Sequence, residues 1–224
     1  NISLTVTASD GSLTASDTFV LTVNAVEDEA TGAVSVSGTV AEGGTVSASV
    51  SATDVDGNIT ATSYQWQIST DGSNWTNIVG ATAASYAIAS DQSQVGQFLR
   101  MVATTTDALG GTTTFTSSAT TAIANVNDAP VVSVAIADQA SVEDAVWNYK
   151  VPVGTFGDLD GDTLTYTATL ADGAALPAWL SFNAATRTFS GTPPQNFNGN
   201  ISLTVTASDG SLTASDTFVL TVNA

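Results

Sequence analysis

Alternation of apolar and polar residues runs along most of the chain and predicts β-strands. Ile2, Leu4 and Val6 alternate with Ser and Thr, and a second segment ends in Phe19 and Leu21 with the same spacing. A period of two places successive side chains on opposite faces of a sheet. No segment shows the period of about 3.6 residues that is typical of an amphipathic helix. The pattern therefore predicts an all-β fold.

Turn residues divide these strands into three regions. Residues 1–25 predict one hairpin with a turn at Asp10-Gly11, and residues 26–125 predict about seven strands. The pattern in residues 126–224 predicts a second set of strands like that of residues 26–125. The length of 224 residues suits two domains of about 100 residues each. We therefore expect tandem Greek-key β-sandwiches preceded by a hairpin fragment.

An internal repeat suggests how the chain is organised. Residues 1–25 recur without change as residues 200–224. The repeat predicts a parent chain built from two-domain units, in which residues 1–25 are the last hairpin of a preceding domain. A lone hairpin is marginally stable in water. We expect it to be poorly ordered or to find a partner, including a second molecule through domain swapping or edge pairing.

Composition limits the chemistry. The chain has 21 Asp and Glu residues against 3 Lys and Arg, a net charge of -18, and no Cys or His. Such a charge repels nucleic acid, so no nucleic-acid partner is expected. Disulfides and thiolate or imidazole ligands are excluded, which leaves oxygen ligands for a metal. No apolar run approaches the length of a transmembrane helix, so we expect no membrane insertion by this segment.

The acidic residues concentrate in turns around a joint at residues 125–130. In two seven-stranded sandwiches the loop order brings turns from both domains to this joint. The predicted ligands there are Glu42, Asp91, Asn127, Asp128, Asp158, Asp160, Asp162 and Asp209. Ca²⁺ takes six to eight oxygen ligands and accepts a mixture of carboxylate, amide and backbone groups. The pattern predicts several Ca²⁺ ions between the domains.

A similar acidic set surrounds the earlier linker. Its members are Glu27, Asp28, Asp54, Asp56 and Asp107, with Asp10 from the hairpin turn. Asp-Gly pairs are also common turn formers, so solvated turns are the alternative interpretation. Calcium is favoured because two loops of the form Asp-x-Asp-Gly each accompany an acidic linker and a later aspartate.

Several motifs resemble known domain families. The first domain resembles bacterial immunoglobulin-like domains in residues 64–67, 71–75 and 95–100. The second resembles the dystroglycan-type cadherin-like domain in residues 176–182, 187–193 and 206–210. Together they resemble extender repeats of giant bacterial adhesins, including those of the RTX type. In cadherin-like joints the roles implied by this resemblance match Glu42, Asp128, Asp158, Asp160 and Asp209, with Asp91 as a further match.

The resemblance implies a structural role outside the cell. The expected protein is an extender segment of an adhesin on a bacterial cell surface, stiffened by Ca²⁺ and joined to neighbouring repeats. The alternative is a calcium-dependent module that recognises a glycan or another copy of the protein. Trp75, Trp147 and Trp179 could stack on a sugar, although each lies in a strand or packing motif. No enzyme is expected, because Ser and Thr have no His or Lys partners.

Overall fold

The all-β prediction is confirmed. The structure is a computed structural model that describes residues 1–24, 26–55 and 57–224. These residues form 18 β-strands and contain no helix, and thus no helix that could cross a membrane. The chain divides into two compact units, Asn1–Ala124 and Asn125–Ala224.

The first element of unit 1 is the predicted hairpin. Strands β1 (Ile2–Ser9) and β2 (Thr14–Leu21) pair antiparallel from Ile2↔Leu21 to Ser9↔Thr14. Gly11 in the turn has φ +96°, a conformation that a glycine adopts without strain. Each of residues 1–24 is exposed to solvent.

The rest of unit 1 is a seven-stranded sandwich, as predicted. Its strands are β3 (Thr31–Gly38), β4 (Thr45–Thr53), β5 (Ile59–Ser69), β6 (Thr76–Asn77), β7 (Ser85–Ala87), β8 (Phe98–Asp107) and β9 (Thr112–Thr116). They form the sheets β3-β4-β7 and β6-β5-β8-β9. Trp66, Leu99 and Met101 are fully buried in the core, which confirms the interpretation of Trp66 as a core residue.

Unit 2 contains nine strands, so the prediction of seven was wrong. They are β10 (Val131–Val132), β11 (Gln139–Val142), β12 (Trp147–Lys150), β13 (Phe156–Gly157), β14 (Thr165–Leu170), β15 (Leu180–Asn183), β16 (Thr188–Gly191), β17 (Gly199–Ser208) and β18 (Thr213–Asn223). The extra strands are short pieces between β10 and β13. Asp144 and Gly154 with positive φ, and Pro152 without an N–H, interrupt regular pairing there.

The hairpin β17–β18 lies in the middle of the main sheet of unit 2. This sheet has the order β11-β18-β17-β14, with β11 parallel to β18, and the other sheets are β12-β16-β15 and β10-β13. Leu203 and Phe218 from the hairpin and Phe189 from β16 are at most 1% exposed. The C-terminal copy of the repeated sequence is thus a central part of a hydrophobic core.

Candidate metal centres

The loop after β13 gathers three carboxylates in unit 2. Asp158, Asp160 and Asp162 each offer one oxygen, and these oxygens lie within 4.8 Å of one another. The N–H of Asp162 donates to Asp158 Oδ1 at 3.2 Å, and Gly161 has φ +76°. The spacing Asp-x-Asp-Gly-Asp therefore makes a tight turn in which alternate residues present carboxylates to one place.

Linker residues of the same unit contact this loop and the β17–β18 turn. The backbone N–H of Asp128 donates to Asp160 Oδ2 at 2.6 Å, and Asn127 Nδ2 donates to Asp209 Oδ2 at 2.9 Å. In the predicted seven-stranded order these two loops follow the second and sixth strands of their domain, whereas in the structure they follow the fourth and eighth strands of unit 2. The structure nevertheless brings the four residues Asn127, Asp128, Asp160 and Asp209 together.

Two carboxylate oxygens in this group are buried without a hydrogen-bond partner. They are Asp128 Oδ2 and Asp158 Oδ2, for which the described part of the chain supplies no donor. A buried carboxylate oxygen without a partner is costly, and a bound cation would remove that cost. The donor set contains only carboxylate, amide and backbone oxygens, which suits a hard cation. These residues therefore fit the predicted Ca²⁺.

Asp209 is held in its ionised form by its turn. Its pKa is lowered because Oδ1 accepts the N–H groups of Leu212 at 2.7 Å and Ser211 at 2.6 Å, and because Asn127 donates to Oδ2. Hydrogen bonds to a carboxylate favour its charged form. At neutral pH Asp209 is therefore a negatively charged oxygen donor.

A second acidic group lies at one end of the unit 1 sandwich. Asp107 is 6% exposed and accepts the N–H groups of Leu109 at 2.7 Å and Gly111 at 3.0 Å. Asp54 Oδ1 accepts the N–H of Gly57 at 3.1 Å. A Cβ atom on Gly111 would collide with the carboxylates of Glu27 and Asp107. Only glycine at position 111 lets these two carboxylates approach the same stretch of backbone.

The remaining predicted ligands occupy different surroundings. Asp28 is exposed, and Asp56 lies outside the described residues. Asp10 is exposed, and its pKa is lowered by the N–H groups of Leu13 and Ser12. The pKa of Asp91 is lowered by the hydroxyl and then the N–H of Ser93.

Glu42 lies near the end of unit 1 and is 8% exposed. Its N–H donates to the carbonyl of Ala124 at 2.9 Å, and Gln92 Nε2 donates to Glu42 Oε2 at 3.3 Å. The roles of Glu42 and Asp91 as metal ligands stay predictions. The sequence reasoning missed Gly111 and Gln92. The Gly110-Gly111 pair directly after Asp107 could have indicated a close approach to that carboxylate.

Two family matches cover most of the chain between them. Residues 129–223 match the family described as "Putative Ig domain". Residues 30–137 match a family described as a domain of unknown function (DUF8696). The second half of the chain is therefore similar to an immunoglobulin-like domain, a class of β-sandwich that is typical of extracellular, non-enzymatic modules. No curated protein matches the sequence.

Solved structures with some likeness include cadherins and a glycoside hydrolase. The protocadherin γB7 EC3–6 cis-dimer structure has a TM-score of 0.47 at 12% identity, covering 99% of this chain and 56% of that one. Drosophila N-cadherin EC1–3 has a TM-score of 0.37 at 14% identity, and the match covers 78% of this chain and 59% of the cadherin. An endo-fucoidan hydrolase of glycoside hydrolase family 107 has a TM-score of 0.36 at 21% identity, and the match covers 74% of this chain and 24% of the hydrolase. The chain thus spans about a quarter of the hydrolase and under two thirds of either cadherin structure.

Proposed function

We propose that this segment is a structural extender of a repetitive bacterial surface adhesin, in which Ca²⁺ at acidic end loops stiffens the joints between domains. Three features support the proposal. They are the tandem β-sandwiches with an immunoglobulin-like match, the exact 25-residue repeat, and the convergence of carboxylates at loop ends. An extender of this kind gains reach by repetition and keeps that reach only if its joints are rigid.

The buried oxygens of Asp128 and Asp158 carry the calcium part of the proposal. They lie in unit 2, where the three carboxylates of Asp158, Asp160 and Asp162 approach within 4.8 Å. Like charges this close repel one another, and the chain already has a net charge of -18. A divalent cation would replace that repulsion with shared coordination. Ca²⁺ fits better than Mg²⁺, because Mg²⁺ keeps several waters and seldom uses dedicated protein cages.

Each unit would contribute its own ligands. In unit 2 we assign Asn127, Asp128, Asp158, Asp160, Asp162 and Asp209. In unit 1 we assign Glu27, Asp54 and Asp107, with Asp28 and Asp56 as further linker and loop ligands. Glu42 and Asp91 would add oxygens to the joint at residues 125–130, which is how bound Ca²⁺ would restrict the angle between domains. The dissociation constant for Ca²⁺ is expected to be roughly 0.1 to 1 mM, as in other extracellular calcium modules.

A calcium titration tests the proposal. About 5 mM Ca²⁺ should stabilise unit 2 by about 1 to 2 kcal/mol for each site and raise its melting temperature by about 5 to 15 °C. Small-angle scattering should show a narrower and more extended ensemble with Ca²⁺ than with EGTA. The Asp160→Asn variant should lose most of the calcium-dependent rise in melting temperature and most of the calcium-dependent change in scattering.

The matched control is Asp172→Asn, which changes the same charge in an exposed turn of unit 2. Asp172 Oδ1 accepts the N–H of Ala174 at 2.9 Å, a bond that an asparagine can also accept. This variant should respond to Ca²⁺ like the parent chain. If neither melting nor scattering of the parent chain changes with Ca²⁺, the acidic loops are solvated turns and the proposal fails.

The alternative role in glycan recognition has less support from the aromatic residues. Trp147 is 7% exposed in the core of unit 2. Trp75 is covered by the guanidinium of Arg100 at 4.4 Å, and Trp179 packs edge-on against Phe197 at 5.6 Å. A sugar platform needs an open aromatic face. Binding of this chain to a glycan array in the presence of Ca²⁺ would favour the glycan-recognition role over the extender role.

A further inference from the structure

Arg100 is the one Lys or Arg side chain of unit 1, and two neighbouring side chains hold its guanidinium in place. Its Nε donates to Gln67 Oε1 at 2.7 Å, and its Cζ lies 4.4 Å from the ring centroid of Trp75. A guanidinium that is stacked on an indole ring and hydrogen-bonded at Nε loses much of its freedom to turn. Its other two nitrogens are therefore presented in one orientation.

Gln67 is itself held by a hydrogen bond across the sheet. Its Nε2 donates to Asn77 Oδ1 at 2.8 Å, which leaves its amide oxygen to face Arg100. Gln67 pairs with Asn77 in β6 and with Arg100 in β8. Trp66, which alternates with Gln67 along β5, is buried in the core. The three polar side chains thus form one row across three strands on the solvent side of the sheet.

The loop between β5 and β6 positions Trp75 through an ionised aspartate. Asp71 accepts the N–H groups of Asn74 at 2.7 Å and Ser73 at 2.8 Å, and Asn74 Nδ2 at 2.7 Å. These hydrogen bonds, that of the Asn74 N–H first, hold the pKa of Asp71 well below its usual range. The donors to this carboxylate are neutral groups of its own turn, so it orders the loop without pairing with Arg100.

The two Nη groups of Arg100 have no acceptor among the described residues. Nε is the nitrogen of this guanidinium that reaches one, and no carboxylate in the described ranges forms an ion pair with it. A guanidinium carries five N–H donors, and two of them in parallel match the two oxygens of a carboxylate. The open edge of Arg100 therefore has the donors and the geometry for one carboxylate group.

Neighbouring positions on the solvent side of this sheet carry amides and hydroxyls. In the two rows beyond Arg100 these are Gln65, Thr116, Ser63, Thr104 and Thr114. Such groups can both donate to and accept from the hydroxyls of a sugar. An acidic peptide would instead use side-chain pockets or an open strand edge, and β8 is paired on both sides, with β5 and β9. The surroundings favour a sugar carboxylate over a peptide carboxylate.

We propose that Arg100 binds the carboxylate of an acidic saccharide, a uronic acid unit, on the solvent side of the sheet β6-β5-β8-β9. The carboxylate would accept two hydrogen bonds from the Nη groups, and the flanking amides and hydroxyls would contact the sugar hydroxyls. The net charge of -18 opposes binding of an anion, but salt screens charges beyond about 8 Å at physiological ionic strength. The contact needs no Ca²⁺ and no open aromatic face, so an extender could carry it along its length.

The test uses the trimer of galacturonic acid as the probe and its methyl ester as the uncharged control. Titration of the isotope-labelled chain in EGTA should move the indole N–H signal of Trp75 in NMR spectra, with saturation at roughly millimolar concentration. The signal of Trp66, which is fully buried in the same unit, should stay in place. The methyl ester should move neither signal. In EGTA no Ca²⁺ can bridge the probe to the acidic loops, so the result is independent of the calcium titration.

Two variants of the site and one matched control complete the test. Arg100→Gln should weaken binding by about tenfold or more, because a hydrogen bond to a charged group contributes at least the free energy of a tenfold change. Gln67→Glu keeps the shape of the side chain and gives Arg100 a carboxylate of its own, so it should weaken binding similarly while the fold is retained. Arg187→Gln removes the same charge from unit 2, where the guanidinium lies 5.5 Å from the ring of Tyr166, and should leave binding unchanged.

Four outcomes would overturn the proposal. A Trp75 signal that does not respond to the trimer means that the site does not exist. An equal response to the methyl ester means that the carboxylate is not what binds. Unchanged binding by Arg100→Gln or Gln67→Glu places the site elsewhere. Binding of tri-glutamate with the same affinity as the trimer means that the site accepts any carboxylate and is not specific for a saccharide.

Discussion

The two copies of the repeated segment share one sequence and one hairpin geometry, but only the C-terminal copy belongs to a hydrophobic core. Phe19 is 50% exposed, whereas Phe218 is 1% exposed. Asp17 Oδ1 accepts the N–H of the adjacent Thr18 at 3.0 Å, whereas Asp216 Oδ2 reaches the N–H of Ile136. Strand pairing and the turn are therefore properties of the segment itself, and burial depends on what surrounds it.

The comparison separates local from tertiary contributions to the hairpin. Both copies satisfy the backbone hydrogen bonds of the turn, since Asp10 and Asp209 each accept two N–H groups. Only the C-terminal strand extends beyond the shared register, to Asn223, where β11 pairs with it. The additional strand length in β18 thus coincides with the presence of a neighbouring strand.

The largest expected difference concerns the buried aromatic residue. Phe218→Ala should destabilise unit 2 by about 3 to 5 kcal/mol, because it removes a ring packed against Tyr149 and Phe189. Phe19→Ala should change the stability of either unit by less than about 0.5 kcal/mol, since its ring is half exposed. Urea denaturation followed by tryptophan fluorescence measures both values. Equal effects of the two substitutions would mean that the N-terminal hairpin is buried in solution.

A smaller difference is expected at the two hairpin turns. Asp209→Asn should remove about 1 kcal/mol of the calcium-linked stabilisation of unit 2, because Asp209 lies beside Asn127 in the acidic group. Asp10→Asn changes the same residue in the same turn and should leave that stabilisation unchanged. Melting curves at about 5 mM Ca²⁺ and in EGTA make the comparison. A loss of calcium response from Asp10→Asn alone would place a ligand of unit 2 in the N-terminal turn.

The sequence pattern predicted the all-β fold, the seven strands of the first sandwich, the hairpin turn at Asp10-Gly11 and the buried Trp66, because each depends on local alternation or on residue type. It also predicted that Asn127 and Asp128 would lie near Asp160 and Asp209, since loop order places them at one end of the sandwich.

The pattern could not predict the parallel pairing of β11 with β18 or the short strands from β10 to β13. Those features depend on non-local pairing and on interruptions at residues such as Asp144. Nor could it distinguish the environments of the two hairpins, because identical residues contain no information about their neighbours. The contacts around the hairpin had to come from the folded structure.

The smallest expected difference is a change in the titration of Asp209. Asp10 and Asp209 both have lowered pKa values from two backbone N–H groups, and Asp209 has one further donor in Asn127. A carboxyl with a lowered pKa in the folded state adds stability above its unfolded pKa of 3.8 and loses it as the pH falls through the folded value. Asn127→Ala should therefore raise the pKa of Asp209 toward that of Asp10, which makes this contribution to stability smaller and completes its loss at a higher pH. Carboxyl NMR titration in EGTA measures both residues in one sample, with Asp10 as the internal reference, and an unchanged pKa of Asp209 would mean that the Asn127 hydrogen bond contributes nothing in solution.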